Sequence, residues 1–117
     1  MNAYDLMKKA VKAADARKAL DMRVLHVEEL TTLCDYFVIC SATSTPHMNA
    51  LYEEIDMKLS EEGIKPVSRE GIGNAGWILL DYGDVIVHIF NESSREFYSI
   101  ERLWSDAEEI SVENLID

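Results

Sequence analysis

Two carboxylates, Asp81 and Asp84, are the residues of this sequence that first suggest catalytic chemistry. They flank the turn between two apolar segments, residues 77–81 and 85–90. A two-metal nucleotidyl-transfer site would need paired carboxylates on a strand and a glycine-serine turn upstream to bind phosphate. The strand after Asp84 carries no second acid, and aspartate is common in turns because it bonds the nearby backbone. The sequence therefore predicts turn residues here and a protein that is not an enzyme.

The candidate phosphate-binding segments are also incomplete. Residues 41–44, with the sequence SATS, precede a predicted helix and could hold an anion at its N-terminus, but they contain no glycine. The glycines in GIGNAG, residues 71–76, loosely resemble a dinucleotide-binding motif, yet they precede a strand and open no helix. Neither segment predicts a nucleotide cofactor.

The residue types that bind metals are scattered along the chain. His26, His47 and His88 fall on different predicted elements. His26 and His88 could in principle meet with Cys40, but no close ligand spacing supports a metal site. Cys34 and Cys40 are six residues apart in one predicted strand, which places their Cα atoms roughly 20 Å apart, too far for a disulfide. Free thiols are typical of a reducing compartment, so we expect a cytoplasmic protein with no metal or cofactor.

The net charge restricts the class of partner. Eleven Lys and Arg residues stand against 22 Asp and Glu residues, which gives a net charge of −11 over 117 residues. Such a chain is a poor match for a phosphate backbone, so no primary nucleic-acid contact is expected. It would be attracted to a basic protein surface, although solubility alone would also explain the charge. The length is sufficient for one domain, and no apolar run is long enough to cross a membrane.

A β-hairpin over residues 77–90, WILLDYGDVIVHIF, must position the turn acids. Two short apolar segments flank a turn in which Gly83 can adopt the positive φ that tight hairpins require. Side-chain alternation places the residues of the first strand and turn on two faces: Trp77, Leu79 and Asp81 on one, and Ile78, Leu80 and Tyr82 on the other. Both faces are apolar, so the hairpin needs cover on both.

The other segments predict a mixed sheet with flanking helices. Helices are predicted over residues 3–20, from Ser44 or Thr45 to Gly63, and from 95 to about 104. The last of these has a predicted apolar face of Phe97, Ile100 and Leu103 or Trp104. Strands are predicted over residues 22–28 and 35–41, with a short one over 64–67. Residues 68–76 are predicted to be a mobile loop.

The resulting order is α-β-β-α-(β)-β-β-α, which is typical of an α+β domain. A single domain is predicted over residues 1–106, followed by a loosely held acidic tail over 107–117. The predicted helices are too few to cover both faces of the sheet. One face is therefore expected to remain exposed and to bind a partner.

Three segments closely resemble the ribosomal silencing factor family, RsfS, also called Iojap or YbeB. They are DYFVICSATS at 35–44, the hairpin sequence at 77–90 and REFYSIERLW at 95–104, and the resemblance covers roughly residues 3–106. It implies an α+β, nucleotidyltransferase-like Iojap fold that lacks catalytic carboxylates. Two departures are minor: Ala42-Thr43 stands where Gly-Asn or a similar pair is frequent, and Asn91 stands where His is frequent.

The resemblance implies a binding function. Such factors dock on the fourteenth protein of the large ribosomal subunit, a basic protein at the subunit interface, block joining of the small subunit and repress translation. They are also linked to late assembly of the large subunit. The candidate partner-binding residues lie on or beside the hairpin: Glu70, Trp77, Leu79, Asp81, Tyr82, Asp84 and His88. Two alternatives are an altered nucleotidyltransferase-like enzyme and a homodimer that buries the sheet face on itself.

Overall fold

The computed structural model describes residues 1–73 and 76–116 and contains a six-stranded mixed sheet with helices on both faces. This architecture confirms the predicted α+β class. The strands are β1 (Leu20–His26), β2 (Tyr36–Ala42), β3 (Ser68–Glu70), β4 (Trp77–Asp81), β5 (Val85–Asn91) and β6 (Glu108–Ile110). The helices are α1 (Ala3–Ala16), α2 (Thr45–Glu61), α3 (Glu92–Tyr98), α4 (Ile100–Leu103) and α5 (Glu113–Ile116).

The strand order is β3-β4-β5-β2-β1-β6, and β2 lies near the centre. β2 and β5 pair in parallel, whereas the other neighbouring strands pair antiparallel. Every residue of β2 is buried, as expected for a strand that is covered on both faces. The predicted hairpin consists of β4 and β5. Because β2 runs parallel to β5, the start of β2 lies beside the hairpin turn.

The first layer of helices, α1 and α2, covers one face of the sheet. The side chain of Asn2 accepts a hydrogen bond from the N–H of Asp5 and caps α1, while Ser44 caps α2 through the N–H of His47. Gly63, with φ +78°, follows the end of α2. The predicted apolar stripe of α2 is buried against the sheet: Met48, Leu51, Ile55 and Leu59.

The opposite face is covered in part by α3 and α4, which the sequence predicted as one helix. Ser99 adopts a left-handed conformation (φ 45°, ψ 49°) that ends α3 and redirects the chain into α4. Residues on the two sides of this break no longer share one helical face. Phe97 is therefore 80% exposed, and its predicted place on the shared apolar face was wrong. Of the two alternatives for the end of that face, Leu103 is 76% exposed. Ile100 is buried and Trp104 packs against the same cluster.

The segment predicted to be a loosely held tail packs on the domain instead. β6 pairs antiparallel with β1, α5 packs against α1, and the side chain of Leu115 is buried in the main core. Because residues 107–117 are rich in acidic side chains, the sequence analysis did not recognise the apolar residues that anchor this segment to the domain. The folded unit therefore extends past residue 106.

The short strand predicted over residues 64–67 lies later in the chain. β3 begins at Ser68 and pairs with β4, and its three residues are exposed. Residues 68–70 have no strand-like apolar pattern, and they form a strand because they pair with the backbone of β4. The prediction of a mobile loop over 68–76 is therefore wrong for residues 68–70, and residues 74 and 75 lie outside the described residues.

Candidate docking surface

Side-chain alternation along β4 and β5 separates two sets of residues, as the sequence predicted. Ile78 and Leu80 are buried under α1 and α2. Trp77, Leu79 and Asp81 point to the opposite face and are half-buried, together with Ile86 of β5: we call these four residues the hairpin face. α3 and α4 leave this part of the sheet partly open to solvent.

A shallow cavity of about 170 Å³ adjoins the hairpin face. It is lined by Trp77 and Leu79 from β4 and by Glu70 and Gly71 from the end of β3. The predicted site residues Glu70, Trp77 and Leu79 therefore lie together. Their arrangement, an apolar floor beside one carboxylate, suits a partner side chain that is apolar along its stem and positively charged at its end.

Trp77 is the centre of an aromatic cluster on this face. Its ring lies 4.9 Å from that of Phe90 and 4.6 Å from that of Tyr98, measured between ring centroids. Tyr98 belongs to α3 and is exposed, so α3 extends the apolar surface beyond the sheet. The sequence analysis missed Tyr98, although it lies in the third of the segments that carry the family resemblance. Ring packing of this kind holds a large side chain in place while part of it remains accessible.

His88 lies beneath the hairpin face rather than on it. It is 6% exposed, and its Nδ1 accepts a hydrogen bond from the indole N–H of Trp77 at 3.2 Å. Burial lowers the pKa of His88 to about 4, so the ring is neutral near pH 7. Because Nδ1 is the acceptor, the ring proton lies on Nε2, which has no hydrogen-bond partner among the described residues. His88 therefore positions Trp77 and does not itself form the surface.

Tyr82 is separated from the other candidate residues. Its ring is buried in the core on the side of α1 and α2, and its hydroxyl is buried there without a hydrogen-bond partner among the described residues. Burial raises the pKa of this hydroxyl, with a further contribution from the charge of Asp56. Alternation places Tyr82 on the face opposite to Trp77, so it has no access to a partner that contacts the hairpin face.

The hairpin turn carries a group of carboxylates. The side chain of Asp81 accepts a hydrogen bond from the N–H of Gly83 at 2.8 Å, which is the turn role that the sequence predicted. Asp84 is exposed. Asp35 joins them because its N–H donates to the carbonyl oxygen of Asp84 at 2.8 Å. Burial, together with the negative charges of these three carboxylates, raises the pKa of the nearby Cys34 thiol to about 11. The turn acids, which include Asp81 of the hairpin face, thus form an acidic rim at one end of that face.

The possible metal ligands of the sequence lie apart. His26 stacks on Tyr36 and bonds Glu28, whereas His88 lies beside Trp77. Cys40 lies in the core on the side of α1 and α2, on the opposite side of the sheet from His88. Within residues 1–73 and 76–116, no group of three or more His, Cys, Asp or Glu side chains is arranged to hold a metal ion. No described helix is both long and apolar enough to cross a membrane.

The sequence matches one family model along its entire length. That model is RsfS, described as ribosomal silencing factor during starvation, and the match covers residues 1–117. The chain belongs to the RsfS family. This finding confirms the resemblance that the three sequence segments carry. It identifies the chain with a family of ribosome-directed regulators of translation.

Relatives of known name and structure agree with this assignment. The chain is 38% identical over 107 residues to the ribosomal silencing factor RsfS of Bacillus subtilis, a match that covers 92% of this chain and 91% of the relative. A crystal structure of a Chromobacterium violaceum protein has a TM-score of 0.87 and 32% identity, and the match covers 95% of this chain and 92% of that one. A mouse relative, named mitochondrial assembly of ribosomal large subunit protein 1, is 30% identical over 86% of this chain and 44% of its own length.

Proposed function

We propose that this RsfS-family protein silences ribosomes by docking its hairpin face on the large ribosomal subunit and blocking the approach of the small subunit. The observation that carries this proposal is the half-buried Trp77, which is held by His88, Phe90 and Tyr98 beside an open cavity. An aromatic anchor that is fixed before binding loses little conformational freedom when a partner covers it. Such anchors dominate the energetics of protein interfaces.

The partner we propose is the fourteenth protein of the large subunit, which the family resemblance describes as basic. The charges around the hairpin face support this choice, because Glu70, Asp35, Asp81 and Asp84 surround its apolar centre. Complementary charges at an interface rim steer association and exclude partners of like charge. The net charge of −11 has the same sign as this rim.

Occlusion follows from the size of the folded domain. Its extents are 33 × 33 × 28 Å, so a docked molecule would add a rigid body of that thickness to a surface that must otherwise meet the small subunit closely. No reaction and no cofactor is needed for this effect. We therefore propose a cytoplasmic binding protein that is not an enzyme.

The test is co-sedimentation with isolated ribosomal subunits, followed by a subunit-joining assay. The protein should pellet with large subunits and reduce the yield of joined particles, and a photo-cross-linker at position 79 should capture the fourteenth protein. Equal pelleting with small subunits would contradict the proposal. If the protein binds large subunits but the yield of joined particles is unchanged, the docking proposal stands and the occlusion proposal is wrong.

A role in large-subunit assembly is the second candidate. It rests on the name of the mouse relative, which refers to assembly of the ribosomal large subunit. The same surface could serve both roles, and depletion of the protein distinguishes them. Precursors of the large subunit would accumulate during growth if assembly is the main role. Excess joined ribosomes would appear during nutrient limitation if silencing is the main role.

A further inference from the structure

A groove between α1 and α2 collects lysine side chains in an otherwise acidic protein. Its volume is about 470 Å³, and it is lined by Lys8, Lys9 and Lys12 of α1 and by Lys58 of α2. These are four of the eleven basic residues of the chain. Met1, Asp5, Ala13 and Ala16 complete the lining. We call this feature the lysine groove.

The charges of these lysines are only partly neutralised by ion pairs within the described part of the protein. Lys8 and Lys12 lie one turn apart on α1, where like charges repel each other. Lys9 forms a salt bridge with Glu62, whereas Lys8, Lys12 and Lys58 form none among the described residues. Lys8 and Lys58 are half-buried, so their stems lie along the groove and their charged ends reach its rim. Lys8, Lys12 and Lys58 therefore keep their charges available to a ligand in the groove.

The lysine groove and the hairpin face lie on opposite sides of the sheet. α1 and α2 cover the face that holds Ile78 and Leu80, whereas Trp77 and Leu79 point to the other face. One ligand can therefore occupy the groove while another covers the hairpin face. The groove is not part of the proposed docking surface.

We infer that the lysine groove binds the phosphate backbone of RNA without reading its bases. Lysine ammonium groups bind phosphates as point charges, and phosphate contacts position a protein on nucleic acid without sequence preference. Among the described residues that line the groove, there is no Arg, Asn or Gln to contact base edges and no aromatic ring to stack on a base. A free nucleotide is a poorer match, because no glycine is among the described residues that line the groove.

An RNA contact gives this groove a clear role in a family directed at ribosomes. A protein with a net charge of −11 is repelled by an RNA-rich particle unless a basic surface faces the RNA. Two separate contacts on one domain, one to protein and one to RNA, strengthen binding when both reach the same particle, because the second then forms within the same complex. Binding of RNA in the lysine groove does not require docking on a ribosomal protein.

The test uses fluorescence anisotropy with a labelled single-stranded RNA of about 16 nucleotides, in two unrelated sequences, at about 50 mM salt. The parent protein should bind both sequences equally. Lys8→Gln/Lys12→Gln keeps good helix-forming residues and should weaken binding about tenfold or more. The slope of log affinity against log salt should become shallower by about 1 for each phosphate that the variant no longer neutralises. The matched control, Lys18→Gln/Lys65→Gln, removes two exposed charges outside the groove and should retain binding.

Three results would overturn the inference. They are no RNA binding by the parent protein, equal weakening in the groove variant and its control, and displacement of RNA by a polyglutamate peptide of equal charge as effectively as by unlabelled RNA. Trp77→Ala should leave RNA binding unchanged, and Lys8→Gln/Lys12→Gln should leave binding to the isolated fourteenth protein unchanged. These two measurements separate failure of the groove from failure of the proposed docking.

Discussion

The indole N–H of Trp77 donates a hydrogen bond to Nδ1 of His88 at 3.2 Å and links a partly exposed side chain to a buried one. Protonation of His88 would turn Nδ1 into a donor and break this bond. The neutral state of His88 and the orientation of Trp77 are therefore coupled. The surface chemistry of the hairpin face depends on a group that no partner can touch directly.

Trp77→Ala is expected to weaken binding to large ribosomal subunits by tenfold to several hundredfold, or about 1.4–3.5 kcal/mol, because it removes the aromatic anchor. Binding is measured by co-sedimentation or surface plasmon resonance. The control is Met57→Ala, which truncates an exposed apolar side chain of α2 and should bind normally. Both variants should be melted beside the parent. If Trp77→Ala loses several kcal/mol of stability while its folded fraction binds normally, Trp77 is a core residue.

His88 should make stability depend on pH. Its pKa is about 4 when folded, compared with 6.5 for an ordinary histidine, so the unfolded chain takes up a proton first as the pH falls. The contribution of His88 is complete above about pH 6.5 and is lost as the pH falls through 4, a total of about 3 kcal/mol. His88→Asn cannot titrate, so denaturant unfolding from pH 7 to 4 should show a smaller loss in the variant. Parallel curves would rule out this pKa shift.

Asp84→Lys should slow association with the large subunit more than it speeds dissociation, because Asp84 is an exposed charge at the rim. Stopped-flow kinetics should show an effect that is largest at low salt and shrinks as salt is raised. Glu53→Lys makes the same charge change on an exposed position of α2 and serves as the control. An equal slowing by both variants would mean that net charge, and not the acidic rim, steers the encounter.

Leu115→Ala should lower the free energy of unfolding by about 2–4 kcal/mol, since it leaves a cavity in the main core. Chemical denaturation of the parent and the variant measures this difference. Glu113→Ala, at an exposed position of the same helix, should change stability little. If Leu115→Ala is as stable as the parent, α5 does not contribute to the fold in solution.

Local patterns in the sequence predicted the parts of this fold that depend on local chemistry. Alternation assigned the two faces of β4, and the caps and stripe of α2 followed from Ser44 and its apolar spacing. The parallel pairing of β2 with β5 is a long-range relationship that no local pattern contains. It brings Asp35 to the hairpin turn, and for that reason the sequence analysis missed this residue.

Burial depth was the other quantity that the sequence could not supply. His88 and Tyr82 belong to the same hairpin as Trp77, and residue type alone did not exclude them from the surface. His88 is buried because Phe37 and Trp77 pack around it, and Tyr82 is buried in the core beneath α1 and α2. Similarly, Phe97 is exposed because the helix predicted here breaks at Ser99.

Both edges of the sheet are short and charged. β3 and β6 have three residues each, and their side chains form ion pairs, Arg69 with Asp56 and Arg23 with Glu109. Edges of this kind are poor templates for an additional strand from another chain. A partner therefore gains little by extending the sheet through its backbone and has to match side chains instead. Recognition by this domain should consequently be sensitive to single substitutions in the partner, and crowding the protein at high concentration should not convert it into cross-β aggregates.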